Sequence, residues 1–145
     1  MIRPIPGVPI EGQSDRFLIR ALMYGEARGE DPVGRLSVGM VAMNRAARPG
    51  HNLRGVILEP QQFSAFNPDD PNRGKLLDAW RSDPVAWARC DETAVLVEAA
   101  LARDPTLGAQ FYFNPEPTRP LWADPAKGFV QTFACGKHVF GRFAR

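Results

Sequence analysis

The chain of 145 residues predicts an α+β fold, mainly helical, with a small C-terminal antiparallel sheet. Three observations carry this expectation. Apolar residues recur at helical spacing over most of the first hundred positions. The steps Asp31-Pro32 and Asp83-Pro84 are helix starts, with Asp as N-cap and Pro in the first helical position. After Ala109 the texture changes to aromatic and β-branched residues, which favour strands.

Residues 1–13, with prolines at 4, 6 and 9, read as an extended arm, and residues 14–145 as one folded unit. Ser14 or Asp15 caps a first helix whose apolar positions are Phe17, Leu18, Ala21, Leu22 and Tyr24. Gly25 and Gly29 loosen its end, leaving Glu26 at or near a helix C-terminus. There the macrodipole disfavours negative charge, although neighbouring Arg28 pulls the other way. A second helix follows Asp31-Pro32, with Val33, Leu36, Met40, Met43 and Ala47 as its inward stripe and small Gly39 and Ala42 permitting a close neighbour. It ends at Arg48-Pro49-Gly50.

A helical turn over residues 53–58 is closed by Pro60, and Gln61-Gln62-Phe63-Ser64 then form a loop. A small helix over 75–80 precedes the longest helix, which runs from Asp83-Pro84 to about Arg103 and stops at Asp104-Pro105 and Gly108. Trp87, Ala94, Val97 and Leu101 suggest burial on more than one of its sides. Residues 110–113 and 130–140 give two or three short strands with a turn near Cys135-Gly136-Lys137, and prolines stiffen the loop between them.

Composition narrows the function classes. With 44% hydrophobic and 23% charged residues the chain is ordinary globular protein. The net charge of +2 is spread rather than clustered, which argues against nucleic-acid binding, while a mild basic excess suits an anionic polymer. No stretch reaches the eighteen or so apolar residues of a membrane span, and the N-terminus lacks the apolar core of a signal peptide. Cys90 and Cys135 fit no metal spacing and read as free thiols, and His51 and His138 are scattered. No metal or cofactor is expected.

The segment Gly25-Glu26-Ala27-Arg28-Gly29-Glu30 places two carboxylates four apart at the exit of the first helix. A solvated helix face has the same composition, but a carboxylic acid held in a partly buried cleft can protonate a leaving oxygen. Four further blocks follow in order: residues 39–45 (Gly-Met-Val-Ala-Met-Asn-Arg), 56–65 with Gln61-Gln62-Phe63-Ser64, 111–115 (Phe-Tyr-Phe-Asn-Pro) and 136–140 (Gly-Lys-His-Val-Phe). Together the five blocks, over residues 17 to 141, resemble the SleB-type cell-wall hydrolase family of spore cortex-lytic enzymes and their bacterial and phage relatives.

That resemblance implies a lysozyme-like fold, peptidoglycan glycan strands as the partner, and Glu26 as the catalytic acid. Glu30, Gln62, Ser64, Tyr112, Asn114 and Trp122 are the candidate substrate-binding residues. Gln62 and Ser64 would bind sugar hydroxyls or acetamido groups, Tyr112 and Asn114 would orient the muramic residue, and Trp122 would stack on a sugar face. A hydrolase of the usual pattern needs a second carboxylate, for which Glu30, Asp69 and Asp70 are candidates. Without one, the muramic 6-hydroxyl attacks in place of water and the reaction is lytic transglycosylation. His138 reads as a structural hydrogen-bonder, and Asn44 equally as a groove residue or a structural cap. Alternatives are muramidase-type hydrolysis, or a non-catalytic glycan-binding or phage-particle assembly domain. The bare chain is expected to be a monomeric phage or prophage lysin, made in the cytoplasm and acting on the wall, either free or attached to a phage particle.

Overall fold

The structure, a computed structural model, describes residues 1–59 and 63–144. Helix α1 (Asp15–Ala27) is capped by Ser14, whose Oγ accepts from the Phe17 amide at 3.1 Å. It is the central helix, with Phe17, Leu18, Ala21, Leu22 and Met23 all fully buried. Its one buried charge, Arg20, pairs with Asp91 at 2.5 Å and Glu98 at 2.8 Å, so the cation enters the core with its counter-charges.

Helix α2 (Pro32–Ala46) begins as the sequence indicates, with Asp31 Oδ1 accepting from the Gly34 amide at 3.0 Å. Its buried face differs from the expected stripe. Val38, Val41, Ala42 and Arg45 point inward, whereas Val33 and Ala47 are exposed and Leu36 and Met43 half-buried. The helix packs against α1, α3, α6 and the sheet, so several faces are covered and no single apolar stripe marks the inner one. Gly39 supplies the expected close approach, since a Cβ there would collide with the terminal methyl of Met23.

Helix α3 (Leu53–Leu58) is capped by Asn52, and Pro60, Gln61 and Gln62 lie outside the described residues. The single helix expected over 75–80 is two short turns, α4 (Arg73–Leu76) and α5 (Ala79–Ser82). Helix α6 (Pro84–Glu98) ends five residues before Arg103. Ala100 turns left-handed at φ 53°, the Leu101 amide reaches back to the Leu96 carbonyl and the Ala100 amide to Val97. This is a Schellman stop with alanine where glycine is usual, so the sequence carries no signal for it. Trp87, Ala94 and Val97 are buried as expected, but Leu101, beyond the stop, is 71% exposed. Asp83 does not cap the helix with its side chain; its carboxylate accepts from the Tyr24 hydroxyl at 3.0 Å.

The sheet is antiparallel in the order β1-β3-β2, from β1 (Phe111–Phe113), β2 (Phe129–Cys135) and β3 (His138–Phe143), with the Gly136-Lys137 turn joining the last two. Alternation along β1 decides what each face covers. Tyr112 packs with Phe140 into the main helical core, while Phe113 joins Phe129 and Ala123 in a second, smaller core. Asn44 ties the loop before the sheet to α2, donating to Asp104 at 2.8 Å and to the Ala109 carbonyl at 2.9 Å, which is a structural role.

The N-terminal segment lies against α6. The Trp87 indole donates to the Ile2 carbonyl at 3.1 Å, and the buried Gln13 amide bonds the backbone of Ile5 and Val8. Among the described residues, no helix is long and apolar enough to cross a membrane.

Candidate active site

Glu26 stands on the last turn of α1, where the preceding Gly25 admits a second segment of chain. A Cβ at Gly25 would lie 2.6 Å from the Ala65 Cβ, so a larger residue would push away the short turn Ser64–Phe66. Through this approach the Ala65 amide donates to Glu26 Oε1 at 3.3 Å. The Tyr112 hydroxyl reaches the same carboxylate from β1. Burial raises the Glu26 pKa above the ordinary glutamate value, and the two donors oppose that rise without cancelling it. The charge of Asp70 raises it further. Tyr112, buried beside this carboxylate, has its own pKa pushed well above that of a free phenol, so it stays a protonated donor.

A groove of about 270 Å³ opens on this carboxylate, lined by Glu26, Gly29, Glu30, Asn114, Lys137 and His138. Glu30 is held from both sides. Its carbonyl accepts from the buried Arg35 guanidinium at 2.6 Å, and its carboxylate lies under the β2–β3 turn, where any side chain at Gly136 would strike it. Gly136 also needs a left-handed backbone, at φ 56°. His138 Nδ1 sits 3.7 Å from Glu30 Oε1 and has no hydrogen-bond partner among the described residues. Burial lowers the His138 pKa; Glu30 opposes this and Lys137 adds to it.

The candidate residues therefore divide. Glu26, Glu30 and Asn114 share the groove, and Tyr112, which does not line it, reaches Glu26 through its hydroxyl. Asn114 is exposed, and its Oδ1 accepts from the Glu116 amide at 3.0 Å, the local turn bond open to an Asn before a proline. Ser64 is exposed on the turn that delivers the Ala65 amide, and Gln62 lies outside the described residues. Trp122 sits on the other side of β1, among Phe111, Phe113, Phe129 and Phe143, and lines a separate cavity. Asp70, a candidate second carboxylate, instead accepts from the Asn72 amide at 2.8 Å and forms a turn. Lys137 and His138 line the groove without having been assigned to it. Their block in the sequence looks like a hairpin turn, and nothing in it indicates that the turn closes over Glu30.

A helical body with a half-buried glutamate at a helix end, faced by a small antiparallel sheet, defines a lysozyme-like domain. The comparisons specify it further. The family model for Cell Wall Hydrolase matches residues 29–141, and the chain belongs to that family. It is 34% identical to the spore cortex-lytic enzyme of Halalkalibacterium halodurans over 88% of its length, and 32% identical to that of Bacillus subtilis over the same share. It spans only 34% and 37% of those two relatives. Among solved structures, the catalytic domain of the germination-specific lytic transglycosylase SleB from Bacillus anthracis aligns over 95% of this chain and 99% of its own, with TM-score 0.63 and 26% identity. The SleB catalytic domain of Bacillus cereus aligns over 95% of each chain, with TM-score 0.64.

Proposed function

We propose that the chain cleaves the glycan strand of peptidoglycan by lytic transglycosylation, with Glu26 as acid and then base, and that residues 14–145 form the catalytic unit on which residues 1–13 dock. The observation that carries this reading is the Glu26 carboxyl group, set at the end of α1 on the groove and within reach of the Ala65 amide, where burial favours its protonated form. The protonated Glu26 gives its proton to the bridging oxygen, and the bond to the muramic C1 breaks. The released N-acetylglucosamine keeps that oxygen as a hydroxyl. The muramic 6-hydroxyl then bonds to the oxocarbenium-like C1 and returns its proton to Glu26, closing a 1,6-anhydro ring without consuming water. The Ala65 amide and the Tyr112 hydroxyl stabilise the carboxylate while it is ionised between the two transfers.

Hydrolysis by water is the second reading, favoured by one observation, the Glu30 carboxylate in the same groove. Against it, Glu30 is turned toward His138 and the Gly136 turn, and it is not among the charges that shift Glu26. A non-catalytic wall-binding domain would have no use for a protonated acid in its groove. On the catalytic reading the monomer releases soluble fragments from purified walls, and Glu26→Gln, nearly isosteric but unable to donate that proton, reduces release by at least about a hundredfold. A variant keeping more than a tenth of the rate contradicts the assignment.

A further inference from the structure

Two adjoining cavities on the far side of Tyr112 are unlike the groove. The first, about 280 Å³, lies between β1 and α2 and is lined by Val41, Arg45, Phe63, Phe111, Tyr112 and Trp122, among others. The second, about 600 Å³, shares Gln110, Phe111 and Phe143 with it and continues to Arg48 and Arg142. Among their described lining residues there are three arginines and no carboxylate.

The three arginines differ in burial, from Arg45 in the interior to Arg142 at the surface. The Arg45 side chain is 6% exposed, its guanidinium lies 4.9 Å from the Phe111 ring centre, and Glu59 holds it at 3.1 Å from outside the cavity. Burial lowers its pKa, and neighbouring Arg48 lowers it further. Arg48 is fixed by donating from Nε to the Arg45 carbonyl at 3.2 Å, and Arg142 is exposed on β3.

We propose that these joined cavities bind the carboxylate-bearing stem peptides that hang from the muramic residues of the glycan. The inference rests on the glycan-cleaving reading above. Arginine forks match carboxylates, and Arg48 and Arg142 stand at the open end of the joined cavities, where an anion can reach them. Neutral sugar rings supply no such charge, whereas a stem peptide supplies carboxylates together with methyl and methylene groups that suit walls of Phe111, Phe143, Leu107 and Trp122. The Tyr112 ring lines the first cavity while its hydroxyl meets Glu26, so a bound stem would sit one aromatic ring from the cleaved bond. Its carboxylates would hold the muramic residue in register with the acid.

The test uses co-sedimentation of the Glu26→Gln protein with walls purified free of phosphate polymers, native or with stem carboxylates converted to amides by carbodiimide and ammonium. Native walls should bind about fivefold more tightly at low ionic strength, and salt should erode the preference. Arg48→Gln with Arg142→Gln should bring the ratio close to one. An equal loss of charge elsewhere, Arg89→Gln with Lys127→Gln, should leave it in place. Equal binding to both walls overturns the proposal, as does retention of the preference by the Arg48/Arg142 pair or its loss in the control pair. Fragment release by the wild-type protein is measured separately. Failure to release fragments with the binding preference intact would reject the glycan-cleaving reading and leave the carboxylate site standing.

Discussion

The Ala65 amide meets Glu26 Oε1 at 3.3 Å across 39 residues of chain, and the contact depends on Gly25 having no side chain. Gly25→Ala gains up to about 1 kcal/mol of helix propensity, but overpacking against Ala65 and Leu76 costs about 1–3 kcal/mol. The variant should therefore be of similar or lower stability while losing more than about tenfold in wall-lytic rate. Thermal melts and fragment release together check this; unchanged activity would show that the Ala65 turn need not touch Glu26.

Glu26 also makes a prediction about stability. Its folded-state pKa is raised above the free value of about 4.3, so the folded state holds this proton more tightly than the unfolded chain. The resulting contribution is fully present below about pH 4.3 and is lost as pH rises through the folded value. Glu26→Gln, neutral throughout, should melt higher than wild type at pH 7, by about 2–4 °C per kcal/mol recovered, with the gap closing near pH 4. A lower melting temperature at pH 7 would contradict the buried-acid assignment.

Tyr112 acts in the opposite direction, since its hydroxyl stabilises the ionised form of Glu26. Tyr112→Phe keeps the ring packed between Phe63 and His138 and removes only that hydroxyl. The alkaline limb of the activity profile, where the acid loses its proton, should move to higher pH, with a loss of about tenfold or less at the optimum. A shift to lower pH would mean that Tyr112 does not stabilise the carboxylate.

Much of this arrangement is legible in the sequence, because it follows from local chemistry. Ser14 and Asp31 cap the helices they precede, the β2–β3 turn falls at Gly136-Lys137, and Glu26 stands at a helix end. What is not legible depends on tertiary contact. The left-handed Ala100 that shortens α6 carries no glycine, and the inward face of α2 is set by its packing against α1, α3, α6 and the sheet. Trp122, read as a wall of the sugar groove, lies across the sheet because it is drawn into the aromatic cluster of Phe111, Phe113 and Phe143.

The pairing of Glu30 with His138 is another such contact, and it can be observed without turnover. Glu30 raises the His138 pKa against the lowering effect of burial. In Glu30→Gln that support is gone, so the His138 ring should titrate at lower pH than in wild type. Nuclear magnetic resonance of the imidazole reads this directly. An unmoved His138 would separate the two residues. Activity in this variant should fall less than in Glu26→Gln.

The most direct measurement of the central claim is mass spectrometry of the new muramic ends made from purified walls by wild type and by Glu26→Gln. Attack by the 6-hydroxyl with Glu26 as its acid and base predicts 1,6-anhydro ends, one water lighter than hydrolytic ends and resistant to borohydride, from wild type and none above background from the variant. Muramic ends that are all reducible would show that water captures the intermediate. Anhydro ends produced equally by Glu26→Gln would contradict the account outright.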